Sequence, residues 1–126
     1  MVTRSCQEEW ELFTIGGHTV TTVITNDSLQ KLGLKAGTLI TAEVKAPFVI
    51  LQKQKEEPKT SSENRFRGII DRIKKGKVIT EYIVRISDGT EPCSLVTSAS
   101  SRRLDLQKND PVWVLFNSFS VVLHID

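Results

Sequence analysis

One lysine stands in an otherwise mostly apolar run. Lys45, within "LITAEVKAPFVIL", is followed directly by Ala46 and Pro47. It is either an ordinary charge at a strand end or a fixed cation that holds an anion. Few other side chains offer chemistry. Cys6 and Cys93 are isolated thiols without CxxC spacing, a pattern that argues against a zinc site or a disulfide framework. His18 follows the Gly16-Gly17 pair and His124 lies in the last apolar run, neither beside a cysteine or acid at metal-ligand spacing. There is no GxSxG, Walker-type loop or HExxH, so the pattern is that of a protein that is not an enzyme.

Composition limits what can position these residues. A chain of 126 residues has the size of one ordinary domain or two very small ones, so a sizeable core requires that halves share it or that copies associate. The 39% hydrophobic content and mixed charge, 17 basic against 15 acidic, are those of a globular chain, and a net +2 is too small to argue for nucleic acid. No apolar run approaches the roughly 20 residues that would span a bilayer. The opening "MVTRSCQEEW" lacks the features of a signal peptide, so no membrane association and a cytoplasmic location are expected.

Sliding the chain on itself by 72 positions aligns residues 17–52 with 89–124 without a gap. The matches include Gly17 with Gly89, Thr25 with Thr97, Ser28 with Ser100, Leu32 with Leu104, Leu34 with Leu106, Val49 with Val121 and Leu51 with Leu123. Two copies of one β-rich module follow: residues 1–52, a polar linker 53–63 containing Pro58, and residues 64–126.

Within the second copy, "FRGIIDRI" and "VITEYIVRIS" form a hairpin around "KKGK", Asp88-Gly89 makes a turn, and "PCSLVT" begins another strand. Ser98 or Ser100 caps a helical turn ending at "RRLDL", and Asn109-Asp110-Pro111 precedes the final strands "VWVLFNS" and "SVVLHI". The first copy repeats the order, with Asp27 or Asn26 as cap and no counterpart of the opening strand "FRGIIDRI". The expected fold is all-β with short helical turns: two OB-like five-stranded barrel modules in tandem, the first lacking its own opening strand. Such an exposed edge needs a cover.

The run "VITNDSLQKLGLKAGTLITAEVKAPFVIL", after a Gly-Gly turn, resembles the Mop domain, a small molybdate-binding module within the broader TOBE group. The second copy is similar over its full length but more divergent, so the chain resembles a tandem, or di-Mop, unit. Units of this kind occur in free molybdate-storage proteins and in the effector-sensing part of a transcriptional regulator. The resemblance implies binding of molybdate or tungstate, as an oxyanion, at interfaces between modules in a homo-oligomer, a dimer or higher. It further implies that DNA contact, in a regulator, belongs to a separate domain.

A tetrahedral dianion needs several converging donors and one or two fixed cations. The resemblance places Thr25 and Ser28 at the start of a helical turn and Lys45 as the charge, with the N–H groups of Ala46 and Phe48 as donors. Pro47 has no N–H and only shapes the turn. The repeat carries the same roles to Thr97, Ser100, Asn117 and Ser118.

Two departures stand out. The family's opening SARNxLxG reads here as "SSENRFRG", Ser61 to Gly68, with Glu63 where the arginine is expected. A carboxylate repels a dianion, and Arg65 or Arg67 is left to compensate; alternation points both away from the face of Phe66. Asn117-Ser118 replaces Lys45-Ala46 and brings no charge, so a site relying on the second copy alone is weak. Two rival readings remain: a degenerate di-Mop module that keeps its assembly surfaces and has lost its ligand, and an OB-type nucleic-acid binder using the basic run Arg65 to Lys77. The second needs exposed aromatics, whereas Trp10, Phe13, Trp113 and Phe116 sit in core-like strand patterns.

Overall fold

The computed structural model describes residues 2–6, 9–13, 18–87 and 89–125; Gly16, Gly17 and Asp88, and the side chains of residues 2–6 and 9–13, of Asn26 and of Leu29, lie outside the description. Strands β1 (Val2–Cys6), β2 (Glu9–Phe13) and β3 (Thr19–Val23) lead into helix α1 (Asn26–Leu32), then β4 (Ile40–Val44), a 3-10 turn (Ala46–Phe48) and β5 (Ile50–Gln52). The order then recurs as β6 (Asn64–Lys74), β7 (Ile79–Ile86), β8 (Cys93–Thr97), α2 (Ser98–Leu104), β9 (Pro111–Phe116), a second 3-10 turn (Ser118–Ser120) and β10 (Val121–Ile125). The fold is all-β and OB-like in tandem, as the repeat implies.

The offset of 72 is kept in the backbone itself. Gly33, just past α1, has φ +64°, and Asp105 has φ +48° at the equivalent place; Gly37 (+91°) and Asn109 (+74°) match in the same way. Left-handed residues end helices by letting the chain turn while satisfying last-turn carbonyls, and the Asp105 N–H donates to the Ser101 carbonyl at 3.0 Å. Both helices have a capping hydroxyl earlier in the chain than the sequence suggests. The hydroxyls of Thr25 and Thr97 accept from the N–H of Ser28 and Ser100, each at 3.1 Å, so Thr97, not Ser98 or Ser100, caps α2, and Thr25 takes the place expected of Asp27; the side chain of Asn26, the other candidate, lies outside the description.

Strand pairing joins the two copies. β5 of the first lies antiparallel to β9 of the second, Leu51 opposite Val114, inside a sheet of order β5-β9-β6-β7-β8. Reciprocally β10 of the second lies on β4 of the first, Leu123 opposite Ala42. The core follows this exchange: Val49 and Leu51 pack with Phe66, Ile70, Val84, Val112, Val114 and Phe116 in one buried cluster. The β6 sequence produces its half of this core by strict alternation, Asn64, Phe66, Gly68 and Ile70 buried and Arg65, Arg67 and Ile69 exposed. Gly68 is required by space, since a Cβ there would stand 2.6 Å from Val84 Cγ1 and 3.1 Å from the Arg85 carbonyl oxygen.

The expectation that the first copy lacks an opening strand is corrected: β1 pairs with β2 and occupies the position that β6 takes beside β7. Val2 faces Leu12 as Ile70 faces Val84, so the offset is 72 in β2 but 68 in β1. The connection between β1 and β2 is shorter, and that shift hides the strand from a gapless comparison. The polar segment between the copies is also tied down. Pro58 is buried, Lys53 Nζ donates to the carbonyls of Leu104 and Asp105, Arg67 Nη1 donates to the Lys55 carbonyl, and Arg65 pairs with Glu57.

Candidate functional site

The exchanged strands carry the candidate residues with them. Ser94, fully buried on β8, donates its hydroxyl to the Val49 carbonyl at 2.6 Å, which docks the turn Ala46–Phe48 of the first copy onto β8 of the second. The pseudo-equivalent Thr22 on β3 points its hydroxyl at the carbonyls of Ser118 and Val121, at 3.4 and 3.5 Å. Lys45, which opens its turn, therefore stands at the β8–α2 end of the other copy, and Asn117-Ser118 stands against β3.

At this seam a groove is lined by Pro47, Val49, Thr97, Ser100, Arg103 and Leu104. Its polar wall is ordered by hydrogen bonds. The Thr97 hydroxyl accepts from the Ser100 N–H at 3.1 Å and donates to Ser100 Oγ at 3.1 Å, while Arg103 Nη2 donates to the same Ser100 Oγ at 2.9 Å. A serine oxygen has two acceptor sites and one proton. With both acceptor sites engaged, the Ser100 proton is left to donate outward. Lys45 is exposed, with no carboxylate partner among the described residues. Of the expected backbone donors, Phe48 N–H is already committed to the Lys45 carbonyl at 2.9 Å.

The second seam differs in charge. Thr25 and Ser28 repeat the hydroxyl pair, Thr25 donating to Ser28 Oγ at 3.0 Å, but Lys31, the equivalent of Arg103, faces Asp27 at 3.7 Å. Asn117 caps its own turn, its side-chain oxygen accepting from the Phe119 N–H at 2.7 Å. Ser118 is buried and donates its hydroxyl to Glu63 at 3.0 Å, so the repelling carboxylate stands on an expected donor.

Ser61 is exposed on the connecting segment. Arg65 does not line the groove; its guanidinium is held by Glu57 and the Ser62 carbonyl, both at 2.9 Å. Asn64, part of the quoted opening motif, is 2% exposed and clamps β6 to β3, accepting from the Thr21 N–H at 2.7 Å and donating to the Thr21 carbonyl at 2.8 Å. Sequence reasoning passed over Arg103. The available signal was the offset of 72, which puts a cation three residues after the shared serine in both copies.

Among the described residues no group of three His, Cys, Asp or Glu side chains could hold a metal ion. His18 meets the Ser87 hydroxyl at 2.8 Å and Phe66 edge-on, and His124 meets Glu43 at 3.0 Å across the exchanged strand pair β10–β4. No helix among the described residues is long and apolar enough to cross a membrane.

The architecture defines the class first: a tandem of OB-like modules interlocked through their last strands. Comparison with known proteins then gives the family. The TOBE domain model matches residues 12–51 and 60–123, and the chain belongs to the TOBE-domain family as a tandem of Mop-type modules. It is 33% identical over 115 residues to the molybdenum-pterin-binding protein MopA of Rhodobacter capsulatus, covering 91% of this chain and 43% of that protein. It is 31% identical over 100 residues to the DNA-binding transcriptional dual regulator ModE of Escherichia coli K12, covering 79% and 37%. The chain thus spans less than half the length of either relative. The structure of the cytoplasmic molybdate-binding protein ModG with molybdate bound superposes with a TM-score of 0.88 at 29% identity, covering 94% of this chain and 84% of that one.

Proposed function

We propose that this chain binds a tetrahedral oxyanion of the molybdate and tungstate type without catalysing a reaction, for storage or sensing. The observation that carries the reading is the docking of the turn that Lys45 opens onto β8 of the other copy, through the Ser94–Val49 hydrogen bond, with Pro47 of that turn in one groove with Thr97 and Ser100. Two ordered hydroxyls and a guanidinium line that groove, and the Lys45 ammonium, two residues before Pro47 and unpaired by carboxylate, completes in this reading the donor set that a dianion requires. The kinship with MopA, ModE and ModG supports molybdate as the ligand. The functional division is residues 1–52 and 64–126, joined by 53–63.

Assembly belongs to the proposal. Phe48 and Ile50 at one seam and Phe119 and Val122 at the other are exposed by 57%, 57%, 74% and 47%, an amount of apolar surface that fits association into a homo-oligomer whose subunit interfaces close the grooves. Contact with DNA, in a regulator, would fall to a separate domain. At the second seam Thr25, Ser28, Asn117 and Ser118 make a weaker site, because Glu63 adds negative charge there and Arg65, held by Glu57, does not offset it; Ser61 stays on the connecting segment. That carboxylate favours a purely architectural role for the second seam.

Calorimetric titration with molybdate, tungstate and sulfate, on the unaltered chain and on Lys45→Ala, tests this reading. Heat with molybdate or tungstate that falls at least about tenfold in affinity in the variant supports it. No heat with any oxyanion overturns it.

A further inference from the structure

The two seams share a hydroxyl pair and differ in their fixed charges. We infer that Arg103 is the second cation of the groove and that, through Ser100, it sets a preference for doubly charged over singly charged tetrahedral oxyanions; this rests on the oxyanion reading above.

Ser100 is the contact through which Arg103 acts. Its oxygen accepts from Thr97 at 3.1 Å and from Arg103 at 2.9 Å, which exhausts its acceptor capacity. The hydroxyl can then only donate, and anything it meets in the groove must be an acceptor. Arg103 also cannot lose its proton, so the charge it places there is permanent. The guanidinium is one helical turn from Ser100 and lines the groove beside Pro47, whose turn Lys45 opens.

Charge balance then decides between ligands. With Lys45, which the oxyanion reading brings to this groove, Arg103 matches two negative charges. A singly charged ion of the same shape leaves one cation uncompensated and gains correspondingly less from the pair. The other seam lacks this arrangement, for Lys31 faces Asp27 at 3.7 Å, Asn117 is neutral and Glu63 is negative. The preference therefore belongs to one groove per chain.

The experiment compares molybdate with perrhenate, tetrahedral ions of like shape and unlike charge, titrated at fixed ionic strength into the full chain. Arg103→Gln is expected to lose about tenfold in molybdate affinity and less than about threefold for perrhenate, so that the ratio between them collapses. Arg103→Lys keeps the charge and most of the ratio, and Lys31→Gln leaves it unchanged. Arg103 is exposed, so its replacement spares the core. If Arg103→Gln binds molybdate as tightly as the unaltered chain while Lys45→Ala is weakened, the role of Arg103 is overturned and the oxyanion reading stands. An equal loss for both ions in Arg103→Gln overturns the charge preference. Absence of molybdate binding by the unaltered chain overturns both.

Discussion

Ser94 Oγ and the Val49 carbonyl oxygen lie 2.6 Å apart, and this hydrogen bond joins a strand of one copy to the turn that carries the lysine of the other. Ser94 is 0% exposed. Removing its hydroxyl leaves a buried carbonyl without that donor, so Ser94→Ala should lower unfolding free energy by about 1–3 kcal/mol. Denaturant titration measures this, and the same variant should weaken oxyanion binding because the Lys45 turn loses its anchor. A variant as stable as the unaltered chain would show that the bond contributes little to the seam.

The exchanged strand should matter to the other copy's core. Leu51 belongs to the first module by sequence but packs among Phe66, Val114 and Phe116, and Leu51→Ala should cost about 2–5 kcal/mol in one cooperative transition. Two separate unfolding transitions, with only one affected, would contradict a shared core.

Gly68 is expected to reject even a methyl group. Val84 Cγ1 and the Arg85 carbonyl oxygen would be 2.6 and 3.1 Å from the new Cβ, so Gly68→Ala should destabilise by about 1–3 kcal/mol despite the lower chain entropy of alanine. Thermal unfolding at or above the starting midpoint would show that the β6–β7 pair moves apart freely.

The cap at Thr97 has a structural and a binding role that substitutions separate. Thr97→Ser keeps the hydroxyl and should change little, whereas Thr97→Ala should cost about 1 kcal/mol of stability and weaken molybdate binding as well. A loss of stability with binding unchanged would confine Thr97 to capping.

Much of this was legible in the chain. Alternation in "NRFRGII" and the offset of 72 are carried by residue type and spacing, which sequence records directly. Partner choice was not. β5 and β10 alternate in the same way whichever copy they join, so nothing local in "VIL" or "VVLHI" distinguishes pairing at home from exchange. The caps read from sequence fall later in the chain than Thr25 and Thr97 because threonine, serine, asparagine and aspartate are all able to accept from the first turn. β1 escaped because a shorter connection to β2 changes the offset. Thr97, Ser100 and Lys45 are candidates by type and spacing, but which copy each lies against depends on the exchange, and Arg103 draws attention only through its hydrogen bond to Ser100.

The central claim is that Lys45 works with Ser100 of the other copy and not with Ser28 of its own. A double-mutant cycle in molybdate affinity tests this most directly, comparing Lys45→Ala with Ser100→Ala and with Ser28→Ala. The account predicts coupling of about 1 kcal/mol or more for Lys45 with Ser100, and additivity within about 0.5 kcal/mol for Lys45 with Ser28. Coupling to Ser28 together with additivity toward Ser100 would contradict it.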